Sequence, residues 1–278
     1  MHRAADELPL AEVAGLVTAG FRGYDVPVVF DVRGLLERVR VDGVDLAASV
    51  VVEAGGGPVG VALVAVRGLA RRVIAMAVVP EHRGSGLGRA LLARVLTEAT
   101  AAGCRAVELE VLSHNAGAVG LYRSMGFEPV QELLSFEIDA LPPEGADGPD
   151  GPEVERADPR ELARILADVA DLPWQIAPAT LANLGPSRRA YRLGPAVAVL
   201  SGVQGGRCML RAIGVRREAR RAGHGRRLLA ALGRHHRGVA VQVPALAPEG
   251  VAGFFRATGF RPGRHTQHHL RVELPWTP

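Results

Sequence analysis

Residues 83–88 read Arg-Gly-Ser-Gly-Leu-Gly, between an apolar run stopped by Pro80 and a segment with helical spacing. Three glycines let the backbone turn tightly and aim successive N–H groups inward, and the helix start adds its positive end. Such a loop suits a phosphate or pyrophosphate. Its spacing is not that of a dinucleotide fingerprint, so the pattern names no ligand by itself. A second group is Val107-Glu-Leu-Glu-Val111, where alternation puts Glu108 and Glu110 on one strand face. A carboxylate there serves either to take a proton from an ammonium group or to face solvent. Asn115 and Tyr122 stand seven apart across a helix start, the first suited to capping, the second to packing or to using its hydroxyl.

The elements that must position these residues are legible in the front half. Spacing predicts helices over 10–19 and 32–41, then strands over 48–53 and 59–66 joined by the Gly55-Gly-Gly-Pro58 turn. A strand over 73–79, a helix over 88–101, a strand over 106–112, a helix over 116–125 and a strand over 133–138 follow. Hairpins succeeded by strand-helix-strand-helix imply a mixed α/β sheet, mostly antiparallel, flanked by helices. The rear half repeats the arrangement. Arg220-Arg-Ala-Gly-His-Gly225 echoes the glycine loop, and Gly253-Phe-Phe-Arg-Ala-Thr-Gly-Phe260 echoes Gly120-Leu-Tyr-Arg-Ser-Met-Gly-Phe127. Between them residues 139–153 carry proline, glycine and acids with little to bury, which is linker chemistry. The expected organisation is a domain over 1–138, a linker over 139–153 and a second domain over 154–278.

Composition removes some classes. All 33 basic residues are arginine, which excludes a lysine-dependent Walker loop and a lysine Schiff base. The first 15 residues mix charges among apolar residues, no apolar run is long enough to span a bilayer, and two cysteines make no disulfide framework. A soluble cytoplasmic protein is expected. The segment after the linker holds 20 arginines against eight acids, read as a solvated face and not as a nucleic-acid surface. His265, His268 and His269 lie on a strand-like run, whereas their three- and four-residue steps would suit one helical face, so no metal is expected there.

Taken together, these residues resemble the GNAT superfamily of acyl-CoA-dependent N-acyltransferases. Arg83, Gly86 and Gly88 match the family's acyl-CoA loop, and Leu109-Glu-Val111, Asn115, Leu121-Tyr122 and Gly126-Phe127 match its later signature. The resemblance covers roughly residues 7–138. It implies acetyl-CoA as cosubstrate and a primary amine as acceptor, joined by direct attack in a ternary complex. It implies that Met76, Ala77 and Val78 pair with the pantetheine arm on a strand splayed from the one carrying Glu110. The Val78 N–H would face the thioester oxygen. Arg83, Gly84, Ser85, Gly86, Leu87, Gly88 and Arg89 would form the pyrophosphate loop, with Asn115 near the pantetheine. Tyr122 would protonate the departing thiolate, and Glu110 would act as base through water.

The rear half resembles the family in outline only. Phe255, Pro248, Val241 and Val243 stand at the places of Tyr122, Asn115, Glu108 and Glu110, so a catalytic front domain and a degenerate rear domain are expected. A non-catalytic acyl-CoA sensor is the alternative. Phe21, Tyr24, Asp25 and Asp31 lie where the family walls its acceptor site. They leave the amine unnamed, and a homodimer is compatible with the sequence.

Overall fold

The computed structural model describes residues 1–26, 28–142, 151–185 and 188–275; residues 143–150 of the expected linker lie outside them. Two compact units divide the chain. The front unit takes Met1–Val130 and the chain from His269 onward, and the rear unit takes Gln131–His268. The expected boundary at 138 follows the order of the chain. The structural division differs because it falls within two strands, one over 128–138 and one over 261–273.

The front unit contains β1 (His2–Ala4), α1 (Leu10–Gly20), α2 (Val32–Asp42), β2 (Val44–Ala54), β3 (Gly57–Arg67) and β4 (Ala70–Val78). Then come α3 (Leu87–Ala101), β5 (Ala106–Leu112), α4 (Ala116–Ser124) and the start of β6 (Glu128–Ile138). Pairing runs β1-β2-β3-β4 antiparallel and β4-β5 parallel, and residues 269–273 lie beside β5 as a further strand. β1 is too short for periodicity to reveal. β2 begins four residues before its β-rich stretch, across a register shift where the Asp45 carboxylate accepts the Ala47 N–H at 2.9 Å.

Local chemistry explains the helices. The Asp31 carboxylate accepts the Gly34 N–H at 2.7 Å to start α2, and Gly43, at φ 76°, ends it. α3 turns Leu91, Leu92, Val95 and Ala99 inward, and each large side chain contributes roughly 2 kcal/mol by leaving water. α1 buries Val13, Ala14, Leu16 and Val17 and ends at Gly20. A Cβ on Gly20 would stand 2.6 Å from that of Ala77, so only glycine lets this helix end lie against β4. Leu270, fully buried, belongs to the same core as Leu91, Leu109 and Phe127. The chain's C-terminal segment therefore fills the front core.

The rear unit contains most of β6, then β7 (Glu155–Ala157), α5 (Pro159–Ile165), α6 (Pro178–Ala182), β8 (Arg188–Leu193), β9 (Ala196–Ser201) and β10 (Arg207–Val215). It goes on through α7 (His224–His235), β11 (Ala240–Pro248), α8 (Ala252–Ala257) and the first part of β12 (Arg261–Glu273). β6 pairs antiparallel with β11, β10 joins β11 in parallel, and β9, β8 and β7 extend the sheet antiparallel. Phe136 of β6 packs with Tyr191, Leu228, Leu232 and Phe255 in the rear core.

Candidate active site

β4 and β5 begin side by side and then part. Their parallel register runs from Ala70↔Ala106 to Val73↔Leu109. At that point the β3–β4 register shifts: Val73 faces Val64 and Ala75 faces Leu63, leaving Ile74 as an extra residue. A bulge of this kind turns a strand. Beyond it the Val79 N–H donates to Val59 O at 2.9 Å on the β3 side. Because successive backbone groups alternate, the N–H groups of Met76 and Val78 point the other way, into the gap. They line a cavity of about 700 Å³ together with Ala77.

The glycine loop closes one side. Pro80 stops β4, a short turn follows, and Gly84 and Gly86 adopt φ of 76° and 84° before α3 starts. Gly84, Gly86, Leu87, Gly88 and Arg89 all line the cavity at the α3 N-terminus. Arg83 lines it too, but its guanidinium serves the backbone. Nε donates to Val78 O at 3.1 Å, and Nη2 to Gly20 O and Arg22 O at 2.8 and 2.9 Å. It fastens the loop to the end of α1, where exposed carbonyls attract a cation. Ser85 turns its hydroxyl to His82 O at 2.6 Å and is not among the cavity-lining residues. Arg89 reaches Ser124 Oγ at 2.7 Å on α4.

Asn115 caps α4, its carbonyl oxygen accepting the Ala118 N–H at 3.1 Å, and lines the cavity. Tyr122, one turn beyond the cavity-lining Ala118, is 7% exposed, packs with Phe127 and is not among the residues lining the cavity. Burial pushes its phenol pKa well above the ordinary range, and the phenol of Tyr24 adds to the shift. It therefore stays protonated at any working pH.

Glu110 stands elsewhere. Its carboxylate is held by Arg72 of β4, with side chains 1% and 5% exposed, and it is not among the residues lining the cavity. Glu108 faces the C-terminal strand, with Oε2 3.2 Å from His269 Nε2 and Oε1 accepting from Arg271 Nε at 2.8 Å. Burial raises its pKa, but the bonds from His269 and Arg271 outweigh this and hold it below the usual value. His269 thus has an acidic partner in space, 161 residues away in sequence.

Two groups on the cavity wall form a pair that spacing does not reveal. His114 Nε2 lies 2.7 Å from Asp25 Oδ2, and both residues line the cavity beside Tyr24. The residues are 89 positions apart, so only the fold brings them together. Asp31 serves as the α2 cap.

This geometry meets the comparisons with known proteins. Residues 31–127 match the model of the acetyltransferase (GNAT) family. These residues are similar to a GNAT domain. The [ribosomal protein bS18]-alanine N-acetyltransferase of Escherichia coli strain K12 is 44% identical over 52 residues, which are 19% of this chain and 35% of that protein. A GCN5-related N-acetyltransferase from Sphaerobacter thermophilus has a similar fold, with TM-score 0.66 at 19% identity over 100% of this chain and 96% of that one. A tandem GNAT protein from the clavulanic acid biosynthesis pathway is alike in fold, with TM-score 0.67 at 17% identity over 100% and 99%. The fold of the chain is a tandem GNAT fold.

The rear unit repeats backbone features of the front unit without the chemical groups. β10 and β11 pair from Arg207↔Ala240 to Met209↔Gln242, and β10 carries its own register shift at Arg211. Arg220 Nε donates to Val215 O at 3.1 Å, as Arg83 does to Val78, and Gly223 has φ 81° before α7. Phe255 is 4% exposed and stacks on Phe136 at 4.9 Å. A Cβ on Gly225 would meet the Phe254 ring at 3.1 Å.

Proposed function

We propose that this chain is an N-acetyltransferase, moving an acetyl group from acetyl-CoA to a primary amine, with catalysis in the front unit. One observation carries the reading: the N–H groups of Met76 and Val78 that point away from β3, the glycine loop and the α3 N-terminus all open onto one cavity. Backbone donors on a free strand edge suit an amide-bearing pantetheine arm, and the loop suits its pyrophosphate. Acetyl-CoA is the substrate these groups fit.

The residues then have separate tasks. The Val78 N–H stabilises the oxyanion that forms as the amine attacks the thioester carbonyl. Asn115 orders the turn where β5 gives way to α4. The protonated Tyr122 gives its proton to the departing thiolate. Arg83 positions the loop without contacting phosphate, and Glu110 holds Arg72 instead of reaching the amine directly. Holding amine and thioester together supplies much of the rate. The curated relative is named for acetylating an alanine of ribosomal protein bS18, which supports a peptide-like or small amine acceptor.

The rear unit takes no part in the chemistry, since phenylalanine has no proton to give and its phenyl ring is packed in the core. Calorimetry with acetyl-CoA, followed by thiol release with a panel of primary amines, tests the reading. Binding with acceptor-dependent release is expected. Binding without release from any amine favours a sensor, and absence of binding removes the proposal.

A further inference from the structure

An amine arrives mostly as ammonium, and some group must take its proton before it can attack. Tyr122 is ill suited, because a buried phenol held protonated donates a proton and does not accept one. Glu110 is buried in its pair with Arg72, away from the cavity. On the wall itself, His114 and Asp25 stand 2.7 Å apart with side chains about half exposed, 48% and 49%. His114 comes from the turn between β5 and α4, directly before the capping Asn115, which fixes its backbone. Asp25 comes from the segment after α1 and directly follows Tyr24, whose phenol is near enough to Tyr122 to act on it. The pair therefore lines the same cavity as Met76 and Val78 of β4, while the buried Tyr122 lies behind that lining.

We propose that His114 accepts the proton of the acceptor ammonium, with Asp25 positioning its ring and favouring a cationic amine. The inference rests on the reading of this cavity as an acyl-transfer site. A neutral imidazole has one ring nitrogen whose lone pair can take up a proton. The ammonium loses one proton to His114, and the neutral amine forms its bond to the thioester carbonyl carbon. The addition intermediate loses a second N–H proton as the C–S bond breaks and the thiolate takes the proton of Tyr122. That second proton restores Tyr122, and His114 passes the first to water. The products are the amide, the thiol and one proton.

His82 offers a second imidazole on the wall, but it belongs to the turn that starts the glycine loop and its carbonyl accepts Ser85. The charged and titratable groups that line the cavity with His114 are Asp25 and Tyr24 from the segment after α1, His82 and Arg83 from the loop, and Arg89 from α3.

The test uses the full chain, acetyl-CoA and a primary amine that wild type acetylates. For His114→Gln we expect kcat/KM to fall roughly 100-fold or more near neutral pH, with acetyl-CoA affinity unchanged. The rise of kcat/KM with pH through the imidazole titration should disappear. For Asp25→Asn we expect a smaller fall in kcat/KM than for His114→Gln, with acetyl-CoA affinity unchanged. A His114→Gln enzyme that keeps the wild-type rate and pH profile overturns the inference. So does a folded Glu110→Gln enzyme that loses the pH-dependent rise while His114→Gln keeps it. If wild type neither binds acetyl-CoA nor releases thiol, the acyl-transfer reading itself fails, a result distinct from a defect confined to His114.

Discussion

Tyr122 and its counterpart Phe255 differ by one oxygen, and in the proposed mechanism that atom carries the proton the leaving thiolate takes. Tyr122→Phe keeps the packing with Phe127, so it should lower kcat roughly 100-fold while acetyl-CoA affinity in calorimetry stays within a factor of two or so. A variant turning over at the wild-type rate makes Tyr122 a packing residue. Arg72 and Glu110 test a different property. Arg72→Met leaves a buried carboxylate without this partner, and urea unfolding should show a loss of about 3–5 kcal/mol. Equal stability in the variant means the pair is replaceable. The alternation of Val107-Glu-Leu-Glu-Val111 made the strand and its faces legible. It could not show that Arg72, on a neighbouring strand, holds Glu110, or that Asp25 lies against His114. Those facts depend on register, and register is set by bulges and partner strands more than by local sequence.

At the scale of elements, the glycine loop was the most legible feature because its conformation excludes other residues. Gly86 has φ 84° and open space around its missing Cβ, so a substitution there is strained in the backbone and not crowded. A side chain costs about 1–2 kcal/mol in this region. Gly86→Val should therefore weaken acetyl-CoA binding several-fold or more by displacing the loop N–H groups, with far-UV circular dichroism unchanged. Unaltered affinity in the folded variant would place the pyrophosphate elsewhere. The parting of β4 from β5 left no mark in composition. Val73, Ile74 and Ala75 read as one continuous apolar strand, and the extra residue shows only when β3 is paired against it.

At the scale of the whole chain, the tandem repeat was plain from two glycine loops and two Gly-Phe endings. The strand exchange was hidden, because the linker composition marks a boundary in sequence and not the sheet that each strand joins. Leu270 is fully buried in the front core, and His269 and Arg271 bind Glu108. Ending the chain after His268 should therefore lower the thermal midpoint of the front unit, and a fragment of residues 1–140 should aggregate through its uncovered β5 edge. A truncated chain melting like wild type contradicts this. The Glu108 contacts add a pH dependence. A carboxylate whose folded pKa is depressed stabilises above its unfolded pKa, and that stability is lost as pH falls through the folded value. Arg271→Met should narrow the acid range of stability, seen as unfolding at a higher pH.

The expectations for Tyr122, His114 and Gly86 hang on acyl transfer at the front cavity. Thiol release from acetyl-CoA by the full chain, measured with and without a panel of primary amines, tests it directly. The account predicts release that depends on one or more of the amines, is matched by acetylated product, and is lost in Tyr122→Phe and His114→Gln. Acetyl-CoA bound tightly, with no amine raising thiol release above the amine-free rate, would contradict it.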